Sequence, residues 1–327
     1  MRAVVCRNWG SPRELGIDES ASPPPMIDGG LRIAVAAAGV NFADTVMIEG
    51  RYQNKPPLPF SPGMEVAGRV VETAPGVKGF KPGDRVFAKL DHGGYAEEAM
   101  ADARFAWPIP KGMDMTAAAG FAVVYGTSHL ALTDRAGLKA GETLLVHGAA
   151  GGVGLTAVEI GKRLGATVIA TAGTPAKLDV AADHGADHLI DHSAEDVRTR
   201  VLDLTDGRGA DVIYDPVGGA AFAASLRCIA WGGRIIVIGF ASGTIPQVPA
   251  NILLVKHIGV LGFSWGTYRQ HRPDLFTGSM ETLLGWYAEG ALKPRVSMTF
   301  DLADAVRALD SLLGRKSTGK IVLTTGR

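Results

Sequence analysis

Residues 143–165 read TLLVHGAAGGVGLTAVEIGKRLG. The apolar run Leu144, Leu145 and Val146 leads into Gly148-Ala149-Ala150-Gly151-Gly152-Val153-Gly154, after which Val158, Ile160 and Leu164 recur at helical spacing. Strand, glycine turn and helix together present backbone N–H groups and a helix N-terminus to a pyrophosphate. Laid on G-x-G-x-x-G, the loop has Ala149, Gly151 and Gly154 at the three glycine positions. Gly151 allows close approach of a phosphate and Gly154 allows the helix to pack on the strand, while Ala149 departs from the strict pattern by one methyl group. Ala150, Gly151, Gly152 and Val153 are therefore the expected contact surface.

Outward from this stretch the chain alternates strands with helices. Strands are expected at Leu144–Val146, Thr167–Ala170, His188–Ile190, Val212–Tyr214, Arg234–Ile238 and Val260–Leu261, and helices at Leu155–Leu164, Pro175–His184, Ala194–Leu204 and Ala220–Ile229. Six strands with such crossovers predict an α/β fold, a Rossmann doubly wound parallel six-stranded sheet. A helix over 117–132 precedes it, and 241–257 reads as loop plus a short helix because of Pro246 and Pro249. Before this rhythm begins, short strand candidates at Arg32–Ala37, Val66–Glu72 and Arg85–Ala88 are separated by proline and glycine clusters, which predicts a barrel-like or sandwich domain. The tail carries helices at Asp274–Glu289 and Leu302–Leu313 and a strand at Lys320–Thr324. It is expected to return to the N-terminal domain, giving a β-rich domain from 1–122 and 265–327 with the nucleotide domain, 123–264, inserted.

The second strand decides which dinucleotide fits. An NAD site places a carboxylate near that strand's end, about 20 residues after the loop, for the ribose 2′-hydroxyl. Here the strand runs into Thr171-Ala172-Gly173-Thr174-Pro175-Ala176-Lys177, and the nearest acid, Asp179, lies a further turn into the helix. Small hydroxyls, Gly173 and Lys177 suit a 2′-phosphate, so NADPH is expected in preference to NADH. His192, just past the third strand, is a candidate for the adenosine end. The segments after the fourth and fifth strands lie at the sheet edge where ligands bind, so Val217, Ile238, Gly239 and Phe240 are expected to line the nicotinamide.

Composition excludes other classes. Of 327 residues, 33 are Lys or Arg and 33 Asp or Glu, and no basic tract marks a nucleic-acid binder. No apolar run is long enough to span a bilayer, and MRAVVCRNWGSP has no signal-peptide core. Two distant cysteines, Cys6 and Cys228, argue against a disulfide framework and fit a reducing cytoplasm.

Several segments carry a wider likeness: Gly39-Val40-Asn41-Phe42-Ala43-Asp44, Gly50-Arg51-Tyr52, Pro62-Gly63-Met64-Glu65-Val66-Ala67-Gly68, Lys81-Pro82-Gly83-Asp84-Arg85-Val86, Ala149–Gly154, Asp215–Gly219 and Gly319-Lys320. Through them the chain resembles the medium-chain dehydrogenase/reductase superfamily, and within it the NADPH:quinone oxidoreductase (zeta-crystallin-like) branch. The resemblance implies a GroES-like catalytic domain built from both chain ends, and a homodimer or tetramer. It also implies that Asn41, Thr127 and Lys320 stand near the cofactor. Zinc-dependent members of the superfamily bind metal through a cysteine and a histidine where this chain has Asn41 and Met64. An amide and a thioether do not suit Zn²⁺, so no metal is expected. Without a Lewis acid the substrate must accept hydride readily, as a quinone or an activated enone does. Tyr52, Phe240 and Trp265 are candidates for a slot around a flat ring, or else for core residues. In related 2-enoyl thioester reductases a tyrosine in a similar Gly-x-Tyr segment donates a proton, which keeps enone reduction open through Tyr52. A non-catalytic NADPH-binding protein is the third reading.

Overall fold

In the computed structural model, which describes residues 1–327, the first segment is rich in strand. These are β1 (Ala3–Val5), β2 (Gly16–Asp18), β3 (Gly30–Val40), β4 (Glu65–Thr73), β5 (Arg85–Lys89), β6 (Glu98–Asp102) and β7 (Ala106–Pro108), with helices α1 (Phe42–Ile48), α2 (Met115–Ala119) and α3 (Ala122–Leu130). The βα rhythm follows: β8 (Thr143–Val146), α4 (Gly152–Arg163), β9 (Thr167–Ala172), α5 (Pro175–Asp183), β10 (His188–Asp191), α6 (Val197–Leu204), β11 (Ala210–Asp215), α7 (Gly219–Cys228), β12 (Ile229–Val237), α8 (Ala250–Lys256) and β13 (Gly259–Gly262). The chain closes with α9 (Trp265–His271), α10 (Pro273–Ala288), β14 (Val296–Asp301), α11 (Ala305–Leu313) and β15 (Lys320–Thr324). It divides into two compact units, Met1–Val123 with Pro294–Arg327, and Val124–Lys293.

The first unit is built on a seven-stranded sheet ordered β14-β15-β3-β4-β5-β7, with β6 also on β3. Leu31, Ile33, Val35, Val66, Val70 and Val86 are all buried in its core. The C-terminal segment is integral to it, since β15 runs antiparallel to β3 and carries β14 on its other edge.

The second unit holds a parallel sheet ordered β10-β9-β8-β11-β12-β13. That is the doubly wound order, whose reversal between its first and fourth strands, here β8 and β11, opens a crevice at their C-terminal ends. α4 lies against β8 so closely that a Cβ on Gly161 would come within 2.5 Å of Leu144 Cδ2. Leu155, Val158 and Ile160 are buried on this helix, each contributing about 1.5–3 kcal/mol of apolar transfer.

Two expectations are corrected and one strand is added. The return to the first unit falls after Lys293, not at 265, because α9 and α10 pack within the nucleotide unit: Trp265 stacks on Phe276 at 4.5 Å, and His129 Nδ1 meets Ser279 Oγ at 2.8 Å. The helix expected over 117–132 is broken at Gly120, which caps α2, and α3 starts afresh at Ala122. Strand β14 was not anticipated, since its residues Val296-Ser297-Met298-Thr299-Phe300-Asp301 are largely half-buried and carry little apolar contrast. No helix is long and apolar enough to cross a membrane, and Cys6 and Cys228 are buried free thiols.

Candidate functional site

In the nucleotide unit the loop after β8 is shaped by two steric demands. Gly148 has φ +57°, and a Cβ on Gly154 would stand 2.2 Å from Gly148 O. Gly148 O also accepts Gly151 N–H at 2.9 Å, which closes the turn. Gly151 then acts as N-cap of α4 with no side chain capping it. The first-turn amides of α4, on Gly152, Val153 and Gly154, have no intrahelical acceptor. Gly151, Gly152 and Val153 are half-exposed whereas Ala149 and Ala150 are buried. The open face of the turn is thus backbone N–H, at the positive end of a helix dipole. Behind it, Ser128 Oγ donates to Val153 O at 2.9 Å and meets Thr156 Oγ1 at 2.8 Å and Tyr214 OH at 2.9 Å, fixing the turn from its buried side.

At the other side of the crevice Asp215 Oδ1 accepts Val217 N–H at 2.8 Å and Gly218 N–H at 2.9 Å. This folds residues 215–219 into a turn in which Gly218 and Gly219 have φ +71° and +54°. That turn is zipped to the one after β12: Ala241 N–H donates to Pro216 O and Ser242 N–H to Val217 O. Val217 Cγ2 lies 3.4 Å from where a Cβ on Gly148 would stand, so the loops after β8 and β11 meet. Beyond β9, a Cβ on Gly173 would come within 2.9 Å of the His192 ring. His147, buried at the end of β8, joins Thr171 Oγ1 at 3.2 Å and Ser225 Oγ at 2.8 Å. Desolvation lowers its pKa, which favours the neutral ring.

In the other unit the polar cluster centres on Glu65, which is buried at the start of β4. Lys320 Nζ donates to Val40 O, Asn41 Oδ1 and Glu65 Oε1, each at 2.8 Å. Asn41 Nδ2 donates to Glu65 Oε1 at 3.0 Å, and Glu65 Oε2 accepts Val123 N–H at 2.9 Å. In the first turn of α1, Asp44 Oδ2 accepts Tyr95 OH at 2.7 Å and Asn41 N–H at 2.8 Å. Burial pushes Asp44 up from 3.8 to about 6, against the pull of those hydrogen bonds and of Lys320. Tyr52 packs half-buried against the same core; its pKa is raised by desolvation and then by Asp44 and Asp91.

Comparison with known proteins identifies the family. Residues 28–111 match the alcohol dehydrogenase GroES-like domain, and residues 152–283 match the zinc-binding dehydrogenase family. The chain is 41% identical to the quinone oxidoreductase-like protein 2 homolog of Nematostella vectensis, over 99% of this chain and 89% of that one. The chain belongs to the quinone oxidoreductase family. Escherichia coli quinone oxidoreductase, solved in complex with NADPH, superposes with a TM-score of 0.91 at 31% identity, covering 99% of this chain and all of that one. An enoyl reductase, CurK, superposes at 0.88 with 25% identity, over 99% of this chain and 98% of that one. The GroES-like domain and the Rossmann domain of the medium-chain dehydrogenases and reductases are both present.

For a member of this family, the sequence-derived residues sort unevenly. Ala150, Gly151, Gly152, Val153, Val217, Ile238, Gly239 and Phe240 all fall at the C-terminal edge of the parallel sheet. Gly173, Lys177 and His192 gather beyond β9. Thr127 is buried on α3. Trp265 is a core residue: it is 4% exposed, stacked on Phe276, and so close to α3 that a Cβ on Gly126 would meet its ring at 2.4 Å. Lys320 donates to three acceptors of its own cluster, Val40 O, Asn41 Oδ1 and Glu65 Oε1. Sequence reasoning passed over Glu65, Asp44 and His147 as functional groups. Their signal is polarity inside apolar context, most plainly Glu65 heading the buried run Val66-Ala67-Gly68.

Proposed function

We propose that this chain is a zinc-independent, NADPH-dependent reductase that delivers hydride to a quinone, and that it works in the cytoplasm as a homodimer. The observation that carries the reading is the uncapped α4 N-terminus at the switch point, beside a β9 end that offers Gly173, Thr174 and Lys177 instead of a carboxylate. The first binds pyrophosphate through backbone N–H groups. The second leaves a 2′-phosphate unopposed by negative charge and gives it a lysine. The NADPH complex of the Escherichia coli relative supports the same assignment. When bound there, NADPH supplies a hydride from the nicotinamide.

The family name implies zinc, and the residues present do not fit it. Asn41 Oδ1 and Glu65 Oε1 converge on the Lys320 ammonium at 2.8 Å. A cation is therefore already built into the fold where those oxygens meet. Met64 is buried in the apolar core, and a thioether is a poor zinc ligand. The protein's own contribution is then positioning: Lys320 and Glu65 lock the Asn41 amide, leaving one lone pair on its Oδ1 for a ligand donor.

Tyr52 separates the two enzymatic readings. Burial and two nearby carboxylates keep it a neutral phenol, able to donate a hydrogen bond but weak as a general acid near pH 7. That suits a quinone, whose hydroquinone oxygens take protons from water. An enoyl thioester, which needs protonation at carbon, is the second reading, favoured by the presence of Tyr52 and the likeness to an enoyl reductase.

NADPH oxidation by the chelator-treated protein, compared with 1,4-naphthoquinone and crotonyl-CoA as acceptors, tests these assignments. The quinone is expected to give the higher specificity constant. A higher value for crotonyl-CoA overturns the substrate assignment, and activity lost on chelation and restored by Zn²⁺ overturns the metal assignment. NADPH binding without turnover of any acceptor leaves the non-catalytic reading standing.

A further inference from the structure

The nucleotide unit begins at Val124 and ends at Lys293, and one face of α4 holds both points. Thr156 Oγ1 donates to Val124 O at 3.0 Å. One turn further along the same face, Glu159 accepts the Tyr125 hydroxyl on Oε2 at 2.6 Å. Its other oxygen, Oε1, accepts the backbone N–H of Lys293 at 3.1 Å and meets His184 Nδ1 at 2.6 Å, where His184 closes α5. Glu159 is 5% exposed, on the buried face of α4 beside Val158 and Ile160. A buried carboxylate is costly and persists only when its oxygens are fully used. Here they are used on the second and the last residue of the unit.

α4 is also the helix whose first turn forms the pyrophosphate cradle, two turns before Glu159. On the far side of the first crossing, Val123 N–H, an orphan donor in the first turn of α3, is capped by Glu65. Glu65 is the carboxylate that holds Asn41 and Lys320. Val123 is therefore held by the cluster of Glu65, Asn41 and Lys320, and the next residue, Val124, is held by α4.

We infer that Glu159 is a positioning residue for hydride transfer, fastening both chain crossings to the helix that carries the cofactor cradle. The inference rests on the NADPH-dependent reading above. It assigns Glu159 no contact with cofactor or substrate. A glutamine at 159 keeps the shape but has one acceptor oxygen, so it cannot serve the Tyr125 hydroxyl and the Lys293 N–H together as the carboxylate does.

The test is hydrogen exchange of the full-length protein with and without NADPH, followed at residues 122–126 and 291–295. In the wild type, NADPH is expected to slow exchange in both segments. In Glu159→Gln, NADPH affinity should stay within about threefold. The slowing should be lost in both segments, and kcat with 1,4-naphthoquinone should fall about tenfold. Tyr125→Phe removes one of the two attachments, so it should lose the slowing at 122–126 and retain it at 291–295. This variant carries the test if Glu159→Gln does not fold. NADPH binding to the wild type without slowing either segment overturns the inference, as do variants that keep both the slowing and kcat. Failure of the wild type to bind NADPH overturns instead the functional reading on which the inference stands.

Discussion

At the scale of single residues, the nucleotide loop offers a graded steric test. A Cβ on Gly154 would meet backbone at 2.2 Å, whereas one on Gly151 would meet Gly148 O at 3.3 Å. Gly154→Ala must displace the turn from α4 and should weaken NADPH binding by more than about tenfold. Gly151→Ala needs only a few tenths of an ångström of adjustment within the turn, so it should lower the thermal midpoint much less than Gly154→Ala, while still weakening NADPH binding where the phosphate approaches. Thermal melts and NADPH titrations of both variants check this, and equal losses of thermal stability would show that the packing of the turn on α4 is not what matters. Asp44 gives a pH test. Its carboxyl is raised from 3.8 to about 6, so its contribution to stability is fully present below pH 3.8 and is lost as pH rises through about 6. The loss is on the order of 2–3 kcal/mol. His129 works the other way. Desolvation lowers it from 6.5 to about 4, so its contribution is present above pH 6.5 and is lost as pH falls toward 4. The two slopes oppose each other in the wild type. Asp44→Asn keeps an acceptor for Tyr95 and Asn41 while removing the charge. Its thermal midpoint should therefore rise more steeply between pH 4 and 6.5 than that of the wild type, and parallel curves would refute the assignment.

At the scale of elements, what the sequence made legible and what it hid follow from periodicity. The parallel strands β8, β9, β11 and β12 are buried on both faces, so Leu144-Leu145-Val146 and Val212-Ile213-Tyr214 stand out as apolar runs. The glycine turn is legible because its chemistry is in the backbone, which residue identity alone constrains. By contrast β14 and α9 are half-buried and carry no comparable signature. The buried carboxylates are hidden for another reason: what makes Glu65, Asp44 and Glu159 informative is their partners, and those lie up to 255 residues away, as Lys320 does from Glu65. On the proposed reading, cofactor choice turns on the end of β9. Lys177→Ala should raise the Kd for NADPH about tenfold, the loss of one charge-assisted contact, and leave that for NADH unchanged. Calorimetric titration of both nucleotides checks this, and an equal effect on the two would place Lys177 away from the 2′-phosphate.

At the scale of the whole molecule, the discontinuous domain was anticipated from the tail, but its boundary was not, because the side chains that keep α10 with the nucleotide unit, Phe276 and Ser279 among them, read as an ordinary amphipathic helix. The remaining prediction concerns assembly. β13 ends the six-stranded sheet, paired to β12 on one side only, and none of its residues is buried. The neighbouring helix α8 also buries no residue, although it carries Leu254 at 76% and Val255 at 74% exposure. Trp231, 73% exposed, adds to this surface, its ring lying 4.9 Å from His257, which caps α8. An open strand edge beside large exposed side chains is a liability in a monomer. A second copy of the same edge, related by a twofold axis, would cover both the strand and the helix. The wild type is therefore expected to run as a dimer in light scattering coupled to gel filtration. Leu254→Asp with Val255→Asp should yield a monomer that still binds NADPH, because these two side chains are exposed while Ile252 and Leu253 hold α8 to the core. A monomeric wild type at micromolar concentration, or a double variant that remains dimeric, would place the dimer contact elsewhere or remove it.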